Sequence, residues 1–126
     1  MKPETMDWVE RAEGDWKVAR RELEAADSVW HVVCFLAQQC AEKYVKAFLE
    51  EQSVPCGKTH DLVVLVRATG GLLPELDAQT ARLARLTTFG VAARYPGLRA
   101  DQEAACEAMR TAEAVRIAVR AGLGYA

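Results

Sequence analysis

The chain holds two histidines, His31 and His60. Imidazole is the side chain best suited to exchange protons near neutral pH. His60 stands in Lys58-Thr59-His60-Asp61-Leu62, where a turn gives way to a helical pattern. A ring there can contact a phosphate or act as acid or base. The plainer use is as a cap, with the ring bonded to local backbone. Lys58 adds a cation to the same turn. Arg94 and Tyr95 precede Pro96, which stops a helix. A fixed guanidinium beside an aromatic ring suits clamping a phosphate and stacking a base. The structural alternative packs Tyr95 under the end of a bundle and pairs Arg94 with a carboxylate or a carbonyl. If both corners fall at one end of the molecule, Arg94 and His60 converge.

A third candidate is the stripe Gln39, Lys43, Lys46 and Glu50, at steps of four, three and four. It either lines a groove for a nucleotide or partner loop, with Lys43 as a phosphate contact, or is a solvated face. A Lys46–Glu50 pair on that face would be worth only ~0.3–0.5 kcal/mol. His31 and Cys34 are one helical turn apart, but two ligands do not make a metal site and no matching pair occurs elsewhere. Neither a P-loop nor a GxGxxG or GxSxG motif is present. The sequence thus calls for no metal, no cofactor and no complete catalytic constellation. The four cysteines, Cys34, Cys40, Cys56 and Cys106, include no CxxC pair and read as thiols used as small hydrophobes.

The elements that must position these residues are helical. Val9, Ala12, Trp16, Ala19 and Leu23 form a heptad-like seam in a first helix over about 5–26. Gly14 sits inside this helix, a sign of close packing or of slight weakness. Asp27 and Ser28 are read as N-caps for a second helix, about 29–51, which is apolar over most of its circumference and therefore central. Thr59 or His60 caps a short helix over about 61–68, ended by Gly70-Gly71. Leu72 to Pro74 form a connection. Asp77 is then taken to cap a helix over about 78–93, with Ala81, Leu83, Leu86 and Phe89 as its apolar positions. In the last helix, about 101–121, Ala105, Ala108, Ala112, Val115 and Val119 repeat at helical spacing. The expected fold is all-α, one domain over 1–126: an antiparallel up-down bundle of four long helices with one short helix across its end.

Composition fits this picture. The chain has 126 residues, 51% of them hydrophobic, enough for a sizeable core. No apolar run approaches the ~20 residues that cross a bilayer. The start leads into acidic residues rather than a signal-peptide core, so cytoplasm is the default compartment. Residues 1–81 carry nine Lys/Arg and fourteen Asp/Glu, whereas residues 82–126 carry seven Arg and four Asp/Glu. That excess of Arg suits anion recognition, or reflects a preference for Arg on a solvated face. The absence of Asn hints at a thermophilic source. Trp8, Trp16 and Trp30, all near the start, suit a large apolar contact.

Residues 34–49, CFLAQQCAEKYVKAFL, resemble the second-helix signature of HEPN domains, the higher eukaryotes and prokaryotes nucleotide-binding family. Trp8 to Asp15, Lys58 to Leu62 and Arg94 to Pro96 occur in the order that family uses. The resemblance implies an antiparallel bundle, frequent homodimers and, for many small prokaryotic members, pairing with a minimal nucleotidyltransferase as a toxin–antitoxin-like module. Many other members are metal-independent ribonucleases bearing Arg, four to six residues, then His. That spacing is absent here, since Arg21 is the nearest upstream Arg to both histidines. The family's nuclease residues are therefore not carried over. The expectation is a HEPN-like interaction module, a homodimer working beside a minimal nucleotidyltransferase. It would bind nucleotide or RNA phosphate near His60, Arg94, Tyr95, Lys58 and Lys43. The alternatives are a ribonuclease using a non-standard Arg94/His60 pair and a purely structural dimeric scaffold.

Overall fold

The computed structural model describes residues 1–91, the last by its backbone, and 100–125. Six helices appear among them: α1 Pro3–Glu24, α2 Trp30–Glu51, α3 Leu62–Ala68, α4 Pro74–Asp77, α5 Thr80–Val91 and α6 Gln102–Gly122. The described residues include no strand.

Helical periodicity sets the core. Thr5, Val9, Ala12, Trp16 and Ala19 form the buried seam of α1, one turn longer at its start than the apolar pattern suggests. The buried face of α6 is Ala105, Ala108, Ala112, Val115 and Val119, joined by Met109, Thr111 and Ala118. Between them α2 is buried along most of its length, from Val33 to Leu49. Lys2 and Thr5 meet Glu51, while Asp15 meets Lys43, so α1 and α2 run antiparallel. Arg120 reaches Tyr44 and Gly122 lies against Phe48, so α6 runs parallel to α2. The four long helices form the expected up-down bundle around α2.

The helix ends depart from the sequence reading in three places. Ser28 does not cap α2: its hydroxyl donates to the carbonyls of Leu23 at 3.2 Å and Ala25 at 2.8 Å, closing α1 instead. A serine hydroxyl is both donor and acceptor, so the same residue serves either end. Neither Thr59 nor His60 caps α3, because the Asp61 carboxylate accepts from the backbone N–H of Val63 and Val64. Asp77 is the last residue of α4 rather than a cap for α5. This extra turn, opened by Pro74, drives Leu76 into the core, where it is fully buried. Gly70 and Gly71 do end the α3 segment, with φ of 65° and 82° that a side chain would strain. Ala81 is exposed, while Leu83 and Leu86 are the buried positions of α5.

Lys2 latches the chain start onto the far end of α2. Its ammonium donates to the Glu50 carbonyl at 2.9 Å and its backbone N–H to Glu51 Oε1 at 3.0 Å. A cation on the last carbonyls of a helix also complements the helix dipole.

Candidate functional site

Four-residue steps along α2 place Gln38, Glu42 and Lys46 in one row. All three are buried, with Glu42 5% and Lys46 8% exposed. A buried charge is tolerable only when paired and hydrogen-bonded, and this row satisfies that demand internally. Lys46 Nζ donates to Glu42 Oε2 at 3.0 Å, and Gln38 Nε2 donates to Glu42 Oε1 at 3.0 Å. Gln39 Nε2 donates in turn to Gln38 Oε1 at 2.7 Å. The Lys46 ammonium also sits 5.7 Å from the centre of the Trp8 ring, within cation–π range.

The fourth member comes from the turn before α3. His60 Nδ1 lies 2.9 Å from Glu42 Oε2. Burial pushes the Glu42 carboxyl up, but the hydrogen bonds from Gln38, His60 and Lys46 outweigh it and hold the group below the usual range. An ionised carboxylate only accepts, so the proton of this contact resides on Nδ1. The tautomer of the neutral ring is thereby set, with the lone pair on Nε2. The His60 side chain is 65% exposed, so this second nitrogen is offered to whatever approaches from solvent. Asp61 and Thr59 hold the turn: the Asp61 N–H donates to Thr59 Oγ1 at 3.1 Å while its carboxylate caps α3.

The α5 helix closes over the row. A Cβ on Gly90 would meet the amide end of Gln38 at 2.6–3.0 Å, so only glycine permits this approach. Thr87 Oγ1 accepts from the Leu62 N–H at 3.0 Å, tying α5 to the start of α3. The chain thus leaves α5 beside Gln38.

The sequence-predicted residues are distributed unevenly. His60 is in the cluster, and Lys58 is exposed in the same turn. Lys43 is turned to α1, where its ammonium pairs with Asp15 at 2.6 Å. Arg94 and Tyr95 lie outside the described residues. The Lys46–Glu50 pair does not form, because Lys46 reaches back to Glu42 instead. His31 is exposed and Cys34 buried, and among the described residues no three metal-ligating side chains gather. Burial pushes the Cys34 thiol up to about 11, as suits a thiol used for packing. Sequence reasoning missed Gln38 and Glu42. The signal was the i, i+4, i+8 row of polar residues running through a helix otherwise apolar on that side.

A different network fastens α1 to α2 and α6. Arg116 grips Glu13 in a bidentate pair, with both N–H···O distances 2.7 Å. The Tyr44 hydroxyl donates to the same carboxylate, and Arg120 donates to Tyr44 at 3.3 Å. The Arg116 hydrogen bond holds the Glu13 carboxyl below its ordinary value; burial opposes this and Tyr44 assists. Burial, then the bond to Glu13, raises the Tyr44 phenol well above its ordinary value. Arg116 also stacks 5.4 Å over the Trp16 ring.

The fold and the cluster define a class: an up-down α-bundle whose second helix carries a buried polar row that meets the turn before a short third helix. The HEPN domain model matches residues 5–121, and the chain belongs to the HEPN domain family. The crystal structure of TT1696 from Thermus thermophilus shares the fold, with a TM-score of 0.81 at 19% identity over 96% of this chain and 99% of that one. None of the curated proteins matches the chain. Among the described residues, no helix is long and apolar enough to cross a membrane.

Proposed function

We propose that this HEPN domain binds the phosphate of a nucleotide or RNA at the His60 corner, as a homodimer acting beside a minimal nucleotidyltransferase. The observation that carries the binding site is the Glu42–His60 contact. A buried, ionised carboxylate accepts from Nδ1–H and leaves Nε2 on the solvent side, where the protonated ring donates Nε2–H to a phosphate oxygen. Lys58 adds an exposed cation to the same turn. Arg94 and Tyr95, four and five residues beyond Gly90 in the sequence, are the further residues proposed for this site. Dimerisation and the nucleotidyltransferase partner rest on family membership.

Calorimetric titration with ATP, GTP and a short single-stranded RNA tests the site. Saturable binding should weaken at least tenfold in His60→Ala, and Glu42→Gln should weaken it less. Absence of heat with all three ligands would refute the reading. Solution mass and titration with the candidate nucleotidyltransferase test the assembly.

The same contact favours a second reading, metal-independent RNA cleavage. An imidazole oriented by a carboxylate through one nitrogen has the other poised as general base. This predicts cleavage in excess chelator that disappears in His60→Ala while the fold survives. Cleavage unaltered in that variant dismisses it.

A further inference from the structure

We infer that the cleft between α5 and α6 is a second ligand site, separate from the His60 corner, and that it takes a small planar aromatic anion. The cleft is half open to solvent and has a volume of about 230 Å³. Its cause is a mismatch of side-chain length. Leu86 and Phe89 on α5 face Ala104 and Ala108 on α6, and the alanines are too short to fill the space between the helices. Leu86 and Ala108 are buried, so the floor is apolar. The two hydroxyls in the lining ask nothing of a guest. Thr88 donates to the Arg85 carbonyl at 2.7 Å and Thr111 to the Glu107 carbonyl at 3.2 Å.

Charge complementarity names the rest of the ligand. Arg82 and Arg85 are exposed members of the lining. Glu107 is the one carboxylate among the lining residues, and Arg85 Nε already donates to it at 2.6 Å. Among the described residues Arg82 makes no hydrogen bond or ion pair, so the rim keeps one unspent guanidinium. A guanidinium binds a carboxylate or sulfonate through two parallel hydrogen bonds. An apolar cavity of about 150 Å³ accepts a benzene ring. The larger, half-open cleft therefore admits two fused rings carrying one acidic group at the mouth.

Titration of the full chain with 2-naphthoate, followed by backbone amide NMR, tests this, with 2-naphthamide as the neutral ring of the same shape. The expected result is saturable shifts on the facing surfaces of α5 and α6, and binding at least tenfold weaker for the amide. Arg82→Gln should weaken naphthoate several-fold. Ala108→Leu fills the cleft and should abolish binding. Ala104→Leu, on the half-buried wall, does the same with less demand on the core and decides the matter if Ala108→Leu fails to fold. No saturable shift at millimolar ligand, equal binding of the amide, shifts elsewhere on the bundle, or undiminished binding in Ala104→Leu would each overturn the proposal.

Discussion

On one side of α2, Glu13 is enclosed by Arg116, Arg120 and Tyr44; on the other, Glu42 is enclosed by Gln38, Lys46 and His60. Tyr44 and Glu42 are two residues apart, about 200° around the helix, so the two networks share a backbone and little else. Both place a carboxylate among cationic and polar donors, and both hold it below its ordinary pKa. They differ in where the donors end. Around Glu13 every group comes from α1, α2 or α6, at the half-buried margin of their contact, and the charges are paired within the network. Around Glu42 one donor is a ring that stands mostly in solvent with a nitrogen left over. A closed network fastens helices. An open one holds out a functional group with its orientation already fixed, which lowers the cost of binding.

The sharpest way to break this comparison is to remove Glu42. Glu42→Leu leaves the buried Lys46 ammonium without its carboxylate, and losing one member of a buried pair costs ~3–5 kcal/mol. The double variant Glu42→Leu/Lys46→Leu should recover more than half of that loss, since no unpaired charge remains. Urea unfolding of both variants measures it. A cost below about 1 kcal/mol for Glu42→Leu, typical of an exposed pair, would mean that the row is effectively solvated.

The next effect probes the roof of the open network. Gly90→Ala brings a methyl to 2.6 Å from the Gln38 amide. Gln38 cannot swing away without releasing Glu42 and Gln39, so the substitution should cost ~1–3 kcal/mol as overpacking does. It should also disturb His60, read by NMR as a shift of the imidazole resonances. Unchanged stability and resonances would show that α5 stands off from the row.

These two positions also mark what the sequence discloses. Seams such as Val9–Ala12–Trp16–Ala19 are legible because burial imposes a period of 3.6 on residue type. The same rule hides Glu42. Polar residues on a helix are read as facing solvent, so Lys43, Lys46 and Glu50 group as an outer stripe, and the row that begins at Gln38 stays unseen. Its burial depends on His60, eighteen residues on, and on a glycine in α5, and no local spacing encodes such partners. The α4 turn escapes for another reason: four residues are too few to show a period, and only Leu76 contributes to the core.

The closed network should prove cheaper to open. Arg116 and Glu13 are 27% and 32% exposed, so water takes over part of what Glu13→Gln gives up. A loss of ~1–2 kcal/mol is expected from charge-assisted hydrogen bonds at such a site, with the binding proposed for the His60 corner unchanged. Acid compares the two directly. Each carboxyl has a folded-state pKa below its unfolded value, so its contribution is present above the unfolded value of about 4.3 and lost as pH falls through the folded one. Urea midpoints should be flat from about pH 7 to 5 and drop below that. The drop should be shallower in Glu13→Gln and in Glu42→Gln, and shallowest with both. Identical slopes in wild type and both single variants would assign acid sensitivity elsewhere.

The smallest effect runs in the stabilising direction and separates two kinds of glycine. Gly14 lies in the middle of α1, exposed, one residue from Glu13. A glycine inside a helix points to either close packing or weakness. A Cβ there would find nothing within 4 Å, so it is weakness. Gly14→Ala adds no contact; it removes backbone freedom from the unfolded chain and should raise stability by ~0.5–1 kcal/mol. Because the residue neighbours Glu13, a stiffer helix should leave the clasp intact or tighter, and the gain should persist in Glu13→Gln. Two glycines in long helices would then respond to one added methyl with opposite signs, Gly14 by gaining and Gly90 by losing. That difference arises from what stands opposite each: open solvent over α1, and the amide of Gln38 under α5.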